Sequence, residues 1–149
     1  MTKRTKKNDK VLAWHFAEPV FENGKQIGIR LDNADDRVHR IGRTLVMQSA
    51  RGPAALKSVP ILCNQGMHAS LRIRSAFYHS RPGDVLCFVE VSEKLQFGSN
   101  KLCGRKRKLI AIVGDLDDYY DLTEAESRRI AAKALKMPIS ALPNIRGNK

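Results

Sequence analysis

The chain has 149 residues, of which 42% are hydrophobic and 28% are charged. This length and apolar content are enough for one domain with its own core, which excludes a wholly disordered chain. The apolar runs fall short of the roughly 18 residues that a membrane-spanning helix needs. The first ten residues carry five Lys or Arg and no apolar segment follows them, so we expect no secretory signal.

Charge is the strongest global signal. The net charge is +12, all of it in residues 1–114, whereas residues 115–149 are neutral overall. Such a field attracts polyanions because their binding releases condensed counterions. We therefore expect nucleic acid, either DNA or RNA, as the main partner and no membrane as partner. One alternative is that the charge binds an acidic surface on a host protein. The other is that the protein is simply basic and its charge binds no partner.

The three cysteines, Cys63, Cys87 and Cys103, form no close pair. An odd number of separated cysteines is typical of a reducing cytoplasm and of a protein without a disulfide framework. A metal site drawn from Cys63, His68, His79 and Cys87 lacks the tight ligand pairs of structural zinc sites. The acidic stretch 115–121 lacks the calcium-loop pattern. We therefore expect no metal and no cofactor.

The N-terminal half opens with a basic arm, residues 1–10, which we expect to be disordered because nothing apolar could dock it. Residues 11–16 have the β-branched and aromatic content of a strand. Asn23-Gly24 predicts a hairpin turn between two strands. The Asn, Asp and Gly content of residues 32–54 is typical of a loop with at most one short strand.

The central part is the most patterned. Residues 59–63 predict a short strand, and Ser70 could cap a helix over residues 70–80. The nearly continuous apolar runs 85–91 and 108–113 are typical of strands buried on both faces. Near the C terminus, Thr123 and Glu126 form a capping box for a helix over residues 123–136.

Together these elements predict an α+β fold, with a small, mostly antiparallel sheet of five or six strands and helices at about 70–80 and 123–136. The organisation is a basic arm (1–10), an α+β core (11–114), and a segment with an acidic turn, a C-terminal helix and a loose tail (115–149).

A cluster of cations in and before the second buried strand is the main candidate site, because it suits phosphate contact and the arm adds a second basic element. Tyr78 and Phe97 are nearby groups that could stack on bases. The alternative is a charged strand edge that discourages aggregation. The predicted nucleic-acid-binding residues are Lys3, Arg4, Lys6, Lys7, Lys101, Arg105, Lys106, Arg107 and Lys108.

The segment Cys63-Asn64-Gln65-Gly66-Met67-His68-Ala69-Ser70 has the form C-x-x-G-[LM]-H-A-S. With the later stretches GDVLCFVEV and NKLCGRKRKLIAIVGD, it resembles a family of small phage-encoded proteins of unknown function. The resemblance covers about residues 11–115. It implies a phage or prophage accessory protein, located in the cytoplasm of the host cell, and it implies no activity.

A fainter similarity is to the ADP-ribosyltransferase fold, which has an early strand with a His or Arg and a later element with a Tyr. This resemblance implies an NAD-using enzyme in which His15, His68 and Tyr78 surround the cofactor, with Tyr78 stacked on nicotinamide. The Glu of the last family motif is missing, since residues 102–108 contain none. Without that carboxylate, nothing in the motif stabilises the charge that develops on the ribose.

The leading hypothesis is therefore a small basic accessory protein of phage type that binds nucleic acid or another polyanion without catalysis. The competing hypotheses are the ADP-ribosyltransferase-like enzyme and a protein inhibitor or adaptor that acts on a host protein. For six phosphate contacts, the dependence of log affinity on log salt should have a slope of about −5.

Overall fold

The computed structural model describes residues 10–30, 37–46, 67–77, 80–99, 101–119 and 122–142. Several predictions lie outside these ranges, namely the arm with Lys3, Arg4, Lys6 and Lys7, the strand 59–63, and the residues Cys63, Tyr78, His79 and Asp121. The strands are β1 (Lys10–Ala17), β2 (Pro19–Glu22), β3 (Lys25–Arg30), β4 (Val38–Arg40), β5 (Thr44–Val46), β6 (Met67–Ala69), β7 (Val85–Ser92), β8 (Gln96–Phe97), β9 (Leu102–Gly104) and β10 (Lys106–Asp115). The helices are α1 (Ile73–Phe77), α2 (Leu116–Tyr119) and α3 (Glu124–Leu135), followed by a 3₁₀ turn, Ile139–Ala141.

The predicted α+β class is confirmed, and every strand pairing among the described residues is antiparallel. The strands form three small sheets rather than the one sheet that we predicted. The central sheet has the order β1-β7-β10-β5, and the two others are β2-β3-β4 and β6-β9-β8. The predicted hairpin is confirmed: Asn23 and Gly24 have φ values of 53° and 78° between paired residues of β2 and β3, as a type I′ turn requires.

The central strands β1 and β7 are buried on both faces, so the sheet separates two cores. On one face, residues of both strands pack against the helices, with Trp14, Phe88 and Ala131 in one cluster. On the other face, a second cluster contains Val89 and Leu109 together with Leu102 of β9. The nearly continuous apolar run in β7 follows from this arrangement, because neither face of the strand meets water.

The strands around the second core belong to two sheets that are connected at two points. Trp14 and Ser70 exchange backbone hydrogen bonds of 2.7 and 2.8 Å, which join β6 to the free edge of β1. The chain passes from β9 through Arg105 directly into β10. The strands β1, β7, β10, β9 and β6 therefore surround this core, and β6 covers part of the edge of β1.

The prediction that Ser70 caps a helix over residues 70–80 is wrong at its start. The Ser70 backbone pairs with Trp14, and the helical residues are Ile73–Phe77.

The prediction of a C-terminal helix is confirmed closely, since α3 spans Glu124–Leu135 and begins after its cap Thr123. Lys136 ends this helix in the left-handed conformation, with φ 57°.

The capping box of α3 gives the first testable prediction. The Thr123 hydroxyl oxygen accepts from the Glu126 N–H at 3.1 Å, and the Glu126 carboxylate accepts from the Thr123 backbone at 3.3 Å. Hydrogen bonds from Thr123 also lower the pKa of Glu126. Thr123→Ala should lower the free energy of unfolding by about 1 kcal/mol, measured by urea denaturation. Thr123→Ser keeps the hydroxyl and should stay close to wild type; equal losses in the two variants would contradict this role.

Candidate functional site

The register of the central sheet places three lysines on one face. Lys10 of β1 lies opposite Ser92 of β7, and Ser92 lies opposite Lys106 of β10. Two residues further along β10, Lys108 lies opposite Glu90. Residues that are directly opposite in an antiparallel sheet, or two apart in a strand, point to the same side. Lys10, Lys106 and Lys108 therefore share one side of the sheet, and we call this group the basic face.

The basic face lies on the side that the helices cover, but at the part that they leave open. Four residues further along the strands on the same face, Trp14 and Phe88 are completely buried in the cluster that includes α1 and α3. Lys10 and Lys108, by contrast, are exposed. The sheet is thus apolar under the helices and basic beyond them.

Two carboxylates partly neutralise the basic face. Lys10 Nζ lies 3.8 Å from a Glu90 oxygen, and Lys106 Nζ lies 2.6 Å from a Glu93 oxygen. Partly exposed ion pairs of this kind contribute little free energy and are screened by salt, so a phosphate can compete for these lysines. Lys108 makes no ion pair with any residue that the structure describes.

Arg107 has to be removed from the predicted phosphate contacts. Its position between Lys106 and Lys108 turns it to the opposite face of β10, where only 3% of it is exposed. Its Nη1 donates a 2.7 Å hydrogen bond to the His68 carbonyl oxygen. The guanidinium thus links β10 to β6 across the second core, and it does not reach a ligand on the surface.

Lys101 and Arg105 flank the short strand β9 and are both half-buried. The Arg105 backbone N–H donates to the Glu93 carbonyl oxygen at 2.8 Å, which holds the step between β9 and β10. The predicted cation cluster is therefore divided: Lys106 and Lys108 lie on the basic face, Lys101 and Arg105 lie at the two ends of β9, and Arg107 is buried.

The structure contains a buried histidine that no sequence motif indicated. His39 of β4 is completely buried, and its Nε2 lies 2.9 Å from the Arg43 carbonyl oxygen and 3.1 Å from the Leu109 nitrogen. Its Nδ1 is buried without a partner among the described residues. Burial first, and the positive charge of Arg107 second, lower the pKa of His39 to about 4. His39 is therefore neutral at physiological pH and ties the β2-β3-β4 sheet to the central one.

The residues of the NAD hypothesis meet only in part. His15 of β1 lies opposite Cys87, and His68 of β6 lies opposite Cys103. Because β1 and β6 are joined at Trp14 and Ser70, the two histidines belong to neighbouring strands, while Tyr78 is outside the described residues. His15, His68 and Cys103 each have an interaction partner.

Both cysteines of the described ranges are free thiols in the interior. Burial raises the pKa of Cys87 to about 12, so its thiolate is not available near neutral pH. Cys103 is also free and buried, and it lies between His68 of β6 and Gln96 of β8 in the register of the third sheet. Within the described ranges, no three His, Cys, Asp or Glu side chains come together as a metal site.

The predicted acidic turn is formed by the end of β10 and by α2. Asp115, Asp117 and Asp118 are exposed there, so their charges are solvated.

Among the described residues, no helix has the length and apolar character needed to cross a membrane.

Comparison with known proteins does not help to assign a function to the basic face. No family model matches the sequence, and the searches of curated proteins and of solved structures give no significant match.

Proposed function

We propose that the protein binds nucleic acid through the basic face, as an accessory protein of phage type. The observation that supports this proposal most directly is the alignment of Lys10, Lys106 and Lys108 on an open part of the central sheet. The net charge of +12 supplies the attractive field around it. The sheet fixes the backbone positions of the three lysines, so their flexible side chains can reach neighbouring phosphates from one surface.

The test is a salt titration of binding. Each lysine that contacts a phosphate adds about one unit to the slope of log affinity against log salt. The double variant Lys10→Gln/Lys108→Gln should therefore weaken the binding of labelled DNA or RNA and reduce the slope by about two. Fluorescence anisotropy at several salt concentrations measures both quantities.

A matched control separates a local contact from the effect of net charge. Lys25→Gln/Lys133→Gln removes the same charge from two exposed lysines, one at the β2–β3 hairpin and one on α3. It should change the slope by much less. If both double variants lose affinity equally, the charge acts only as a general field. Tight binding to a protein without affinity for DNA or RNA would instead favour the inhibitor or adaptor hypothesis.

A further inference from the structure

A cavity of about 240 Å³ lies between the start of α1, the start of α3 and the middle of β1. It is lined by the apolar residues Leu71, Ile73 and Leu122, by the charged residues Arg72, Arg74 and Glu124, and by Trp14 from the sheet. The volume is below the roughly 300–1,000 Å³ of pockets that hold drug-sized ligands. A single ring system therefore fits this cavity, whereas a dinucleotide such as NAD does not.

Trp14 carries one hydrogen-bond donor, the N–H group of its indole ring. The side chain is completely buried, and its Nε1 has no partner among the described residues. An unpaired buried donor is costly, so an acceptor brought by a ligand would offset that cost. The two hydroxyl groups of the wall are already engaged, since Thr123 Oγ1 donates to Glu126 and Ser127 Oγ donates to the Thr123 carbonyl oxygen.

The position of the cavity relates it to the basic face. Trp14 lies four residues from Lys10 on the same strand, which is about 13 Å, and both side chains point to the same side of the sheet. Arg72 is exposed at the cavity and makes no ion pair within the described ranges. A guanidinium can stack on a base or bind a phosphate. A strand bound along Lys10 would thus pass the cavity.

We propose that this cavity receives one unpaired base of a single-stranded nucleic acid, with Arg72 over the base and the Trp14 N–H donating to an acceptor on its edge. The proposal rests on the proposed function and narrows its ligand to single strands. Trp14 has no exposed surface, so contact with it requires a small outward movement of the side chains that cover it. Because Trp14 is the only tryptophan of the chain, its fluorescence reports this event directly.

The experiment compares labelled oligothymidylate with an abasic strand of the same length, which carries the same phosphates but no bases. Oligothymidylate should bind about tenfold more tightly and change the Trp14 emission, whereas the abasic strand should leave that emission unchanged. Arg72→Ala should bring the affinity ratio of the two strands towards one. Arg129→Ala removes an exposed arginine of α3 outside the cavity wall and should keep the ratio.

The outcomes distinguish the two proposals. Equal binding of both strands would overturn the base site and leave the basic face intact. The base site would also be overturned if Arg72→Ala still prefers oligothymidylate and the Trp14 emission does not change on binding. The base would then bind elsewhere. If neither strand binds at physiological salt, both proposals are wrong.

Discussion

Arg107→Ala is expected to lower the free energy of unfolding by about 3 kcal/mol, a large effect for one residue in a run of cations. The side chain is 3% exposed, and its Nη1 donates to the His68 carbonyl oxygen at 2.7 Å. Alanine would remove this link between β10 and β6, leave the carbonyl without its donor, and open a cavity in the second core. Urea denaturation followed by circular dichroism measures the loss.

Two further variants show whether burial is the cause. Lys108→Ala changes the exposed neighbour and should stay within about 0.5 kcal/mol of wild type. Arg107→Met keeps an apolar chain of similar length without the buried charge, so it should recover part of the stability lost in Arg107→Ala. If Arg107→Ala folds as stably as wild type but binds nucleic acid weakly, the guanidinium reaches the surface and this assignment is wrong.

The elements that the sequence predicted are those whose signal is local. A long apolar run identified β7, a two-residue turn motif at Asn23-Gly24 identified the hairpin, and the capping box of Thr123 and Glu126 identified α3. Each of these signals lies within a few residues of the structure that it specifies, so distant parts of the chain are not needed to interpret it.

The missed elements depend on contacts between distant segments. The strands β4 and β5 have three residues each and lie in a polar stretch that we expected to be mainly a loop. They become strands because β4 pairs with β3 and β5 pairs with β10. Ser70 likewise has a side chain that suits a helix cap, but its backbone forms hydrogen bonds with Trp14 at the edge of β1. Short strands carry too few residues for their periodicity to be recognised.

The candidate site, like the fold, could be predicted from the sequence only in part. Alternation along a strand implies that Lys106 and Lys108 share a face that Arg107 does not. Which of the two faces is buried depends on β6, which contributes the carbonyl group that Arg107 binds. Lys10 was assigned to the disordered arm, whereas the structure has it as the first residue of β1. Only the register of the sheet brings it beside Lys106.

His39 had no recognisable signal because its burial depends on two sheets that meet. In the sequence it is a single histidine in a polar stretch. In the structure it lies between Arg43, before β5, and Leu109 of β10. Burial and the nearby charge of Arg107 both disfavour a positive charge on the imidazole, so the site favours the neutral side chain.

Acidification is therefore expected to destabilise the fold through His39. Its pKa is about 4 in the folded protein against an ordinary value of 6.5, so the unfolded chain takes up this proton first as the pH falls. The stabilisation is complete above about pH 6.5, is lost progressively down to about pH 4, and amounts to about 3 kcal/mol over that window. Protonation would also place a second positive charge near Arg107.

The measurement is the free energy of unfolding by urea at several pH values, for wild type and for His39→Gln. Carboxylates also titrate in acid, so the informative quantity is the difference between the two proteins. The acid-dependent loss should be smaller in His39→Gln by about 3 kcal/mol. Arg107→Met should raise the pKa of His39, because the Arg107 charge is one of the causes that lower it. An NMR titration of the imidazole decides the matter: a midpoint near the ordinary value of 6.5 would show that His39 is solvated and that the two sheets do not depend on its neutral form.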